Sequence, residues 1–231
     1  MNMISSFQAV FFDAGGTLFR PFPSVGEIYQ EVALKHGRHV DAGGIEKLFH
    51  RAWLKRDGLS DLASHSSEKI EREWWRNLVF EVFSEVGGVN DFEAFFHELY
   101  DVFARPAAWR LCPGALDVLR ELKKRKTHIG IISNWDSRLF ELCEGLGLEE
   151  YLEFVLASAV FGAAKPSPKI FQEALRRAGV SAKEAVHIGD SYEDDIQGAR
   201  SVGMEAILID RSAGRGFPYV RTIRDLRELI A

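Results

Sequence analysis

The chain has 231 residues, 46% of them hydrophobic and 27% charged, a balance that fits a globular chain able to bury one core and a small second one. Thirty-four acidic residues against 29 basic ones leave a formal charge of −5 with no basic stripe, so nucleic acid is not expected as a partner. Cys112 and Cys143 lie far apart and form no CxxC pair, which argues for reduced thiols in a cytoplasmic protein and against a structural zinc or a disulfide. MNMISSF at 1–7 lacks a basic head and a long apolar stretch. FVLASAVFGAA at 154–164 falls short of the roughly 20 residues that span a bilayer, so neither export nor a membrane is expected.

In chain order, AVFF at 9–12 predicts a first buried strand. From about 24 to 105 no strand pattern appears, and apolar residues recur at helical spacing instead. Ser24 and Glu27 predict a capping box opening one helix. Ile45, Leu48, Phe49 and Trp53 fit one face of a second, Ile70, Trp74, Leu78 and Val82 line a third, and Phe92, Phe95, Phe96 and Leu99 a fourth. Of the adjacent Trp74 and Trp75, one must face outward. Trp53, Arg56 and Arg76 are candidates for shaping a pocket, although packing is the commoner use of aromatics in a bundle.

Beyond the insert, helix-period segments alternate with short β-rich runs. LDVLRELKKR at 116–125 precedes HIGIIS at 128–133, and SRLFELCEGLG at 137–147 precedes FVLA at 154–157. PKIFQEALRRAG at 168–179 precedes AVHIG at 185–189, and DIQGARSVG at 195–203 precedes EAILI at 205–209. Ser167 before Pro168 reads as an N-cap with proline at the first helical position, and Ser181 with Glu184 as a capping box. SAGRGFPY at 212–219 is a loop, and YVRTIRDLRELI at 219–230 holds a last short strand and helix. This alternation predicts an α/β fold, a doubly wound parallel sheet with a helical bundle inserted after the first strand. The expected division is a Rossmann-like core of residues 1–20 and 107–231 with a helical cap of residues 21–106, placed over the carboxyl end of the first strand.

Four polar strand ends then converge: Asp13, the pair Ser133 and Asn134, Lys165 in GAAKPSP, and Asp190 in GDSYEDD. Each alone is ordinary turn chemistry. Together, DAGGTLF at 13–19, ISNWD at 132–136, GAAKPSPKIFQEAL at 162–175 and GDSYEDDIQGARSVGM at 189–204 resemble the motifs of the haloacid dehalogenase-like (HAD) hydrolase superfamily, in its branch with a helical cap after the first motif. The resemblance implies that Asp13 is a nucleophile forming an aspartyl-phosphate, a covalent role that suits a carboxylate because the acyl-phosphate is labile to water. A carboxylate about 4 Å from a phosphate charge is repelled by about 4 kcal/mol at an effective dielectric near 20, so such a site needs cations.

By the same resemblance, magnesium (Mg²⁺) would be held by Asp13, Asp190 and the backbone carbonyl of Gly15, with Asp195 at the second acidic position. Glu193 and Asp194 lie between them. Asp194 fits a helix N-terminus, where negative charge is favourable, and Glu193 stays open. Lys165 would neutralise nucleophile and phosphate together. Ser133 and the amide of Asn134 would bind phosphoryl oxygens, and Thr17 would brace the first loop against the substrate. Gly16 and Gly189 fit tight turns or close approach to a ligand, and His187 reads as a buried, satisfied imidazole.

The sequence departs from the family's phosphatases at one position. Their second aspartate, two residues after the nucleophile, protonates the leaving group and then activates water; here Gly15 stands there. Such a group is worth about 10²- to 10⁴-fold, roughly 3 to 5 kcal/mol of barrier. A slow or specialised hydrolase of a small phosphorylated metabolite is the leading expectation, and Gly15→Asp is expected to raise its phosphomonoesterase activity. The alternatives are a phosphonatase-like carbon–phosphorus hydrolase, which needs an imine-forming lysine from the insert although Lys35, Lys47, Lys55 and Lys69 each read as a solvated helix face, and a metal- and phosphate-binding module with negligible turnover. His36, His39 and His50 show no ligand spacing. The oligomeric expectation is a monomer or homodimer.

Overall fold

The computed structural model describes residues 3–56, 58–59, 62, 66–211 and 217–231; the start of MNMISSF and most of SAGRGFPY lie outside them. Strand β1 (Ala9–Phe12) is wholly buried and leads into a short strand β2 (Phe19–Pro21). Four helices follow: α1 (Val25–Lys35), α2 (Ala42–Lys55), α3 (Glu68–Ser84) and α4 (Phe92–Phe103). Strand β3 (Trp109–Leu111) returns antiparallel to β2, pairing Phe19 with Leu111 and Pro21 with Trp109. These two strands form the stem through which the chain leaves and re-enters the core, and neither was anticipated, because runs of three residues carry no readable period.

The rest alternates as expected: α5 (Ala115–Lys124), β4 (His128–Ser133), α6 (Leu139–Gly145), β5 (Phe154–Ala157), α7 (Ser158–Phe161), α8 (Pro168–Ala178), β6 (Ala185–Gly189), α9 (Gly198–Ser201), β7 (Glu205–Ile209) and β8 (Arg221–Ile223). The six-stranded sheet has the order β5-β4-β1-β6-β7-β8 and every pairing in it is parallel. Strand β1 is central. The chain winds outward from it through β4 to β5, then crosses back to continue through β6 to β8, so the winding direction reverses at β1. Above the carboxyl end of such a reversal, diverging loops leave a crevice.

Both faces of the sheet are covered, which is why its strands are continuous apolar runs. Val10, Phe12, Ile129 and Ile131 join one cluster with α5 and α6. Phe11, Ile132, Ile170 and Phe171 join the other with α8 and α9. The insert has a separate core built on Tyr29, Ile45, Leu78, Phe83, Phe95 and Leu99. The caps fall where the sequence puts them: the Ser24 hydroxyl accepts from Glu27 N at 3.1 Å, Ser167 caps α8, and the Ser181–Glu184 box opens a short turn before β6.

Two expectations for α3 are corrected. Ile70 is exposed, and the buried stripe runs instead through Glu71, Leu78, Val79, Val82 and Phe83. Neither Trp74 nor Trp75 faces outward. Both are half-buried because Trp53, Leu59 and Leu62, together with Ala159 of α7, form a small apolar cluster against them. That cluster and Trp109, which packs against both large cores, seat the helical insert over the crevice. The segment expected to be helical over 195–203 starts earlier, as a wide turn at Tyr192–Gln197 in which Ile196 N donates five residues back to Ser191 O at 3.3 Å. Widened turns of this kind concentrate at functional sites.

Candidate active site

Asp13 continues the register of β1, its N–H donating to Ile188 O at 2.9 Å, and its side chain turns up into the crevice. The following loop folds back on itself, with Leu18 N and Phe19 N both donating to Ala14 O, at 2.8 and 3.1 Å. Gly16 sits at φ +79°, and a Cβ there would run into the Asp190 carboxylate, so glycine is required on both counts. Gly189 is likewise a point of close approach, since a Cβ would collide with the Asp195 side chain. Arg211, just after β7, donates to the carbonyls of Gly16 and Thr17 and pins the loop from outside.

The Asp13 carboxylate is held through one oxygen. Its Oδ1 accepts from Ser133 Oγ at 2.9 Å and from Lys165 Nζ at 2.7 Å, while Oδ2 accepts no hydrogen bond from the described residues. Lys165 Nζ also donates to Asp195 Oδ1 at 2.5 Å, and the same oxygen contacts His187 Nε2 at 2.8 Å. Asp195 Oδ2 accepts from Ser191 N at 3.0 Å, so both its oxygens are engaged. Asn134 clamps the lysine loop: its Nδ2 donates to Lys165 O at 2.9 Å and its Oδ1 accepts from Lys165 N at 2.7 Å.

The electrostatics follow from burial and crowding. Burial raises the Asp13 carboxyl above the usual range even though Lys165 pulls it down. At Asp195 burial acts in the same upward sense, but Lys165 and His187 outweigh it and hold the group below the usual range. Lys165 is itself raised, the two carboxylates overriding its burial. Asp190 has no cation of its own. Desolvation and the charges of Asp13 and Asp195 push it up to about 8.

Oxygens of Asp13, Asp190 and Asp195 lie within 4.8 Å of one another. Three hard carboxylates sharing one ammonium leave an excess of negative charge that fits a divalent, oxygen-loving cation such as Mg²⁺. A cavity of about 910 Å³ opens above them and reaches into the insert. Asp13, Gly15, Ser133, Asn134, Lys165, Asp190 and Asp195 all line it, with Glu193 and Asp194 at its edge; Thr17 does not, being buried behind the loop with no partner for its hydroxyl. Trp53 and His50 line the cavity as well, whereas Arg56 is engaged with Glu81 and Arg76 with Glu93. His187 is buried as expected but only half satisfied, because its Nδ1 has no partner among the described residues.

The segment after β4 carries contacts that sequence reasoning missed. Asp136 is fully buried and takes a forked contact from Arg138, with Nε to Oδ1 at 3.0 Å and Nη2 to Oδ2 at 2.6 Å. Trp75 of α3 donates to the same carboxylate at 2.6 Å, and Ser137 donates through N and Oγ to the buried Glu71 of α3. Trp135 lies over Gly15. The available sign was an oppositely charged pair two residues apart, immediately beyond a strand-end Ser-Asn.

A doubly wound α/β fold with an aspartate–lysine–aspartate cluster at its topological switch point defines a hydrolase-type ligand crevice beneath a helical insert. The haloacid dehalogenase-like hydrolase family matches residues 7–203, and the chain belongs to that family. Human haloacid dehalogenase-like hydrolase domain-containing protein 3 is 38% identical over 200 residues, covering 85% of this chain and 79% of its own. The ribulose-1,5-bisphosphate 5-phosphatase of Halopiger xanaduensis is 30% identical over 211 residues, covering 88% and 85% of the two chains. A HAD phosphatase from Thermococcus onnurineus superposes with a TM-score of 0.66 at 27% identity, over 96% of this chain and 95% of that one. Among the described residues no helix is long and apolar enough to cross a membrane.

Proposed function

We propose that the protein is a Mg²⁺-dependent phosphatase of a small phosphorylated compound, with Asp13 as nucleophile. The observation that carries this is the one-sided grip on Asp13. Ser133 and Lys165 fix Oδ1, which orients the carboxylate and leaves Oδ2 open to the cavity for in-line attack on phosphorus. Lys165 offsets the repulsion between carboxylate and phosphate, and Asp195, held by His187 and Ser191, keeps the ammonium from swinging away. Ser133 and the Asn134 amide stand at the carboxyl end of β4, where they can receive phosphoryl oxygens.

A magnesium ion held by Asp13, Asp190 and the Gly15 carbonyl, with Asp195 behind them, would add positive charge beside the phosphoryl oxygens. The phosphonatase alternative finds no insert lysine at the cavity. Lys35 and Lys55 pair with glutamates on the insert surface, Lys47 and Lys69 are exposed, and none of the four lines the cavity.

The test is phosphate release from a panel of phosphomonoesters and phosphonates with and without Mg²⁺, for the wild type and Asp13→Asn. Mg²⁺-dependent release from monoesters that disappears in the variant is the expected result. Turnover that survives Asp13→Asn, or tight phosphate binding with no release from any ester, would overturn it.

A further inference from the structure

Position 15 is not merely empty. A Cβ on Gly15 would lie 2.7 Å from Cζ3 of Trp135, so the indole occupies the space into which a side chain at 15 would grow. The ring is braced. Phe19 and Trp109 meet it with centroids at 5.5 and 5.3 Å, its N–H backbone contacts Ser158 Oγ at 3.2 Å, and its carbonyl accepts from Ala159 N at 3.1 Å. On the Gly15 side of Asp13, then, the described cavity wall is an aromatic surface, which offers no proton to a departing oxygen.

The cavity continues into the insert with the same character, lined by Tyr29, Phe49, Trp53, Phe96, Tyr100 and Phe103. It offers little to a second anion. Arg138 spends Nε and Nη2 on Asp136, points Nη1 at Tyr100 O, and lies over the rings of Trp75 and Tyr100 at 5.2 and 4.1 Å. Glu46 lines the same region and accepts from Gly26 N at 2.5 Å. His50 is the remaining basic side chain among the described lining residues outside the Asp13 cluster.

We infer that the substrate is a phosphate monoester of an uncharged aromatic alcohol, a phenol, whose ring packs against Trp135 while its oxygen leaves without general-acid help. This rests on the phosphatase reading above and goes further by naming the leaving group. Asp13 Oδ2 forms a bond to phosphorus as the phosphorus–aryl-oxygen bond breaks. The electron pair departs on the phenolate, which takes its proton from water. A water oxygen then attacks phosphorus, the bond to Asp13 breaks, orthophosphate leaves, and the carboxylate is restored as the surplus proton passes to solvent. A phenol has a pKa of about 10, whereas an alkanol is close to water at about 16, so only the alkyl ester suffers fully from the missing acid. The forfeited factor is about 10²- to 10⁴-fold.

Phenyl, benzyl and cyclohexyl phosphates separate the two halves of the inference, because benzyl phosphate keeps the ring but has an alkanol leaving group. Steady-state phosphate release with Mg²⁺, in wild type, Asp13→Asn and Trp135→Leu, is the experiment. Expected are a kcat/KM for phenyl phosphate at least about 10²-fold above the other two, a dissociation constant for benzyl phosphate in Asp13→Asn close to that for phenyl and below that for cyclohexyl, and loss of this binding advantage when Trp135→Leu is added. Quenching of tryptophan fluorescence by phenylphosphonate, stronger than by methylphosphonate, gives the ring contact a readout independent of turnover. Asp13-dependent turnover with equal kcat/KM for phenyl and cyclohexyl phosphates, or with preference for esters bearing a second anion, refutes the inference and leaves the phosphatase reading standing. No Asp13-dependent release from any ester refutes both.

Discussion

Lys165→Met replaces a buried ammonium by an apolar chain of similar length, and its consequence can be worked from two distances. Nζ lies 2.7 Å from Asp13 Oδ1 and 2.5 Å from Asp195 Oδ1, with lysine and both carboxylates buried. At an effective dielectric near 20 each contact is a gross attraction of about 6 kcal/mol, most of it offset by the desolvation of all three groups. Breaking such a cluster from one side strands the carboxylates, a net loss of about 3 to 5 kcal/mol. For a chain of this size that lowers Tm by about 6 to 20 °C. The loss must depend on pH. In the wild type Asp195 is held below its ordinary value, so its stabilisation is present above about pH 4 and disappears as pH falls. Asp13 is raised already, and without Lys165 its penalty above about pH 4 grows. The Asp195 contribution is complete at both pH 5 and pH 8, so the growing Asp13 penalty is what makes the variant's deficit larger at pH 8 than at pH 5. Urea titrations of metal-free protein at the two pH values measure it. A deficit under about 1 kcal/mol, or one unchanged between them, would refute the view that Lys165 balances two ionised carboxylates.

Asp190→Asn should act in the opposite sense on stability. Burial and the charges of Asp13 and Asp195 push Asp190 up to about 8, so its penalty is absent below about pH 4 and complete only above pH 8. Asp190 opens onto the cavity, where water screens part of the repulsion, and a gain of about 1 to 2 kcal/mol in metal-free protein at pH 8.5, shrinking at pH 5, is expected by calorimetry, together with loss of Mg²⁺-dependent activity. Gly15→Asp, expected from sequence to raise phosphomonoesterase activity, should fail alone because Trp135 fills the space. Paired with Trp135→Ala it should raise kcat on alkyl phosphates by about 10-fold or more, within the range such acids supply. A gain from the single change equal to that of the pair would show that the indole gives way freely.

The strands, their parallel order and the helices were legible because a sheet buried on both faces needs continuous apolar runs, and HIGIIS or AVHIG can serve no other common purpose between helical patterns. The strand ends were legible through their order, since Asp13, Ser133, Lys165 and Asp190 each close a strand or follow one in a doubly wound sheet. What could not be read was set by partners distant in sequence. Trp74 and Trp75 are both covered because residues of another helix, a loop and α7 meet them, and no helical wheel contains those neighbours. Ile70 fits the apolar period of α3 but lies in its first turn, beyond the reach of the insert core. Gly15 as a vacancy was visible in the sequence. That Trp135, 120 residues away, fills it was not.

Residues 133–138 gather these relations into one strip of chain. Ser133 holds Asp13, Asn134 holds the lysine loop, and Trp135 covers Gly15. Asp136, Ser137 and Arg138 face the other way, contacting Trp75, Glu71 and the Tyr100 carbonyl of the insert. The partners of Asp13 and the wall over Gly15 are therefore fixed to the end of β4, while the insert is held to the next three residues by polar contacts. The cavity of about 910 Å³ lies between these two sets of contacts, lined by Trp135 and Arg138 of the strip and by Trp75 and Tyr100 of the insert. The charge-assisted Trp75–Asp136 and Ser137–Glu71 bonds are each worth about 1.5 to 3 kcal/mol. The inner set is tied to β4, a buried strand paired on both sides, and segments of that kind resist local opening most. On the proposed function this puts the firmest attachment at Asp13, where in-line attack would need it.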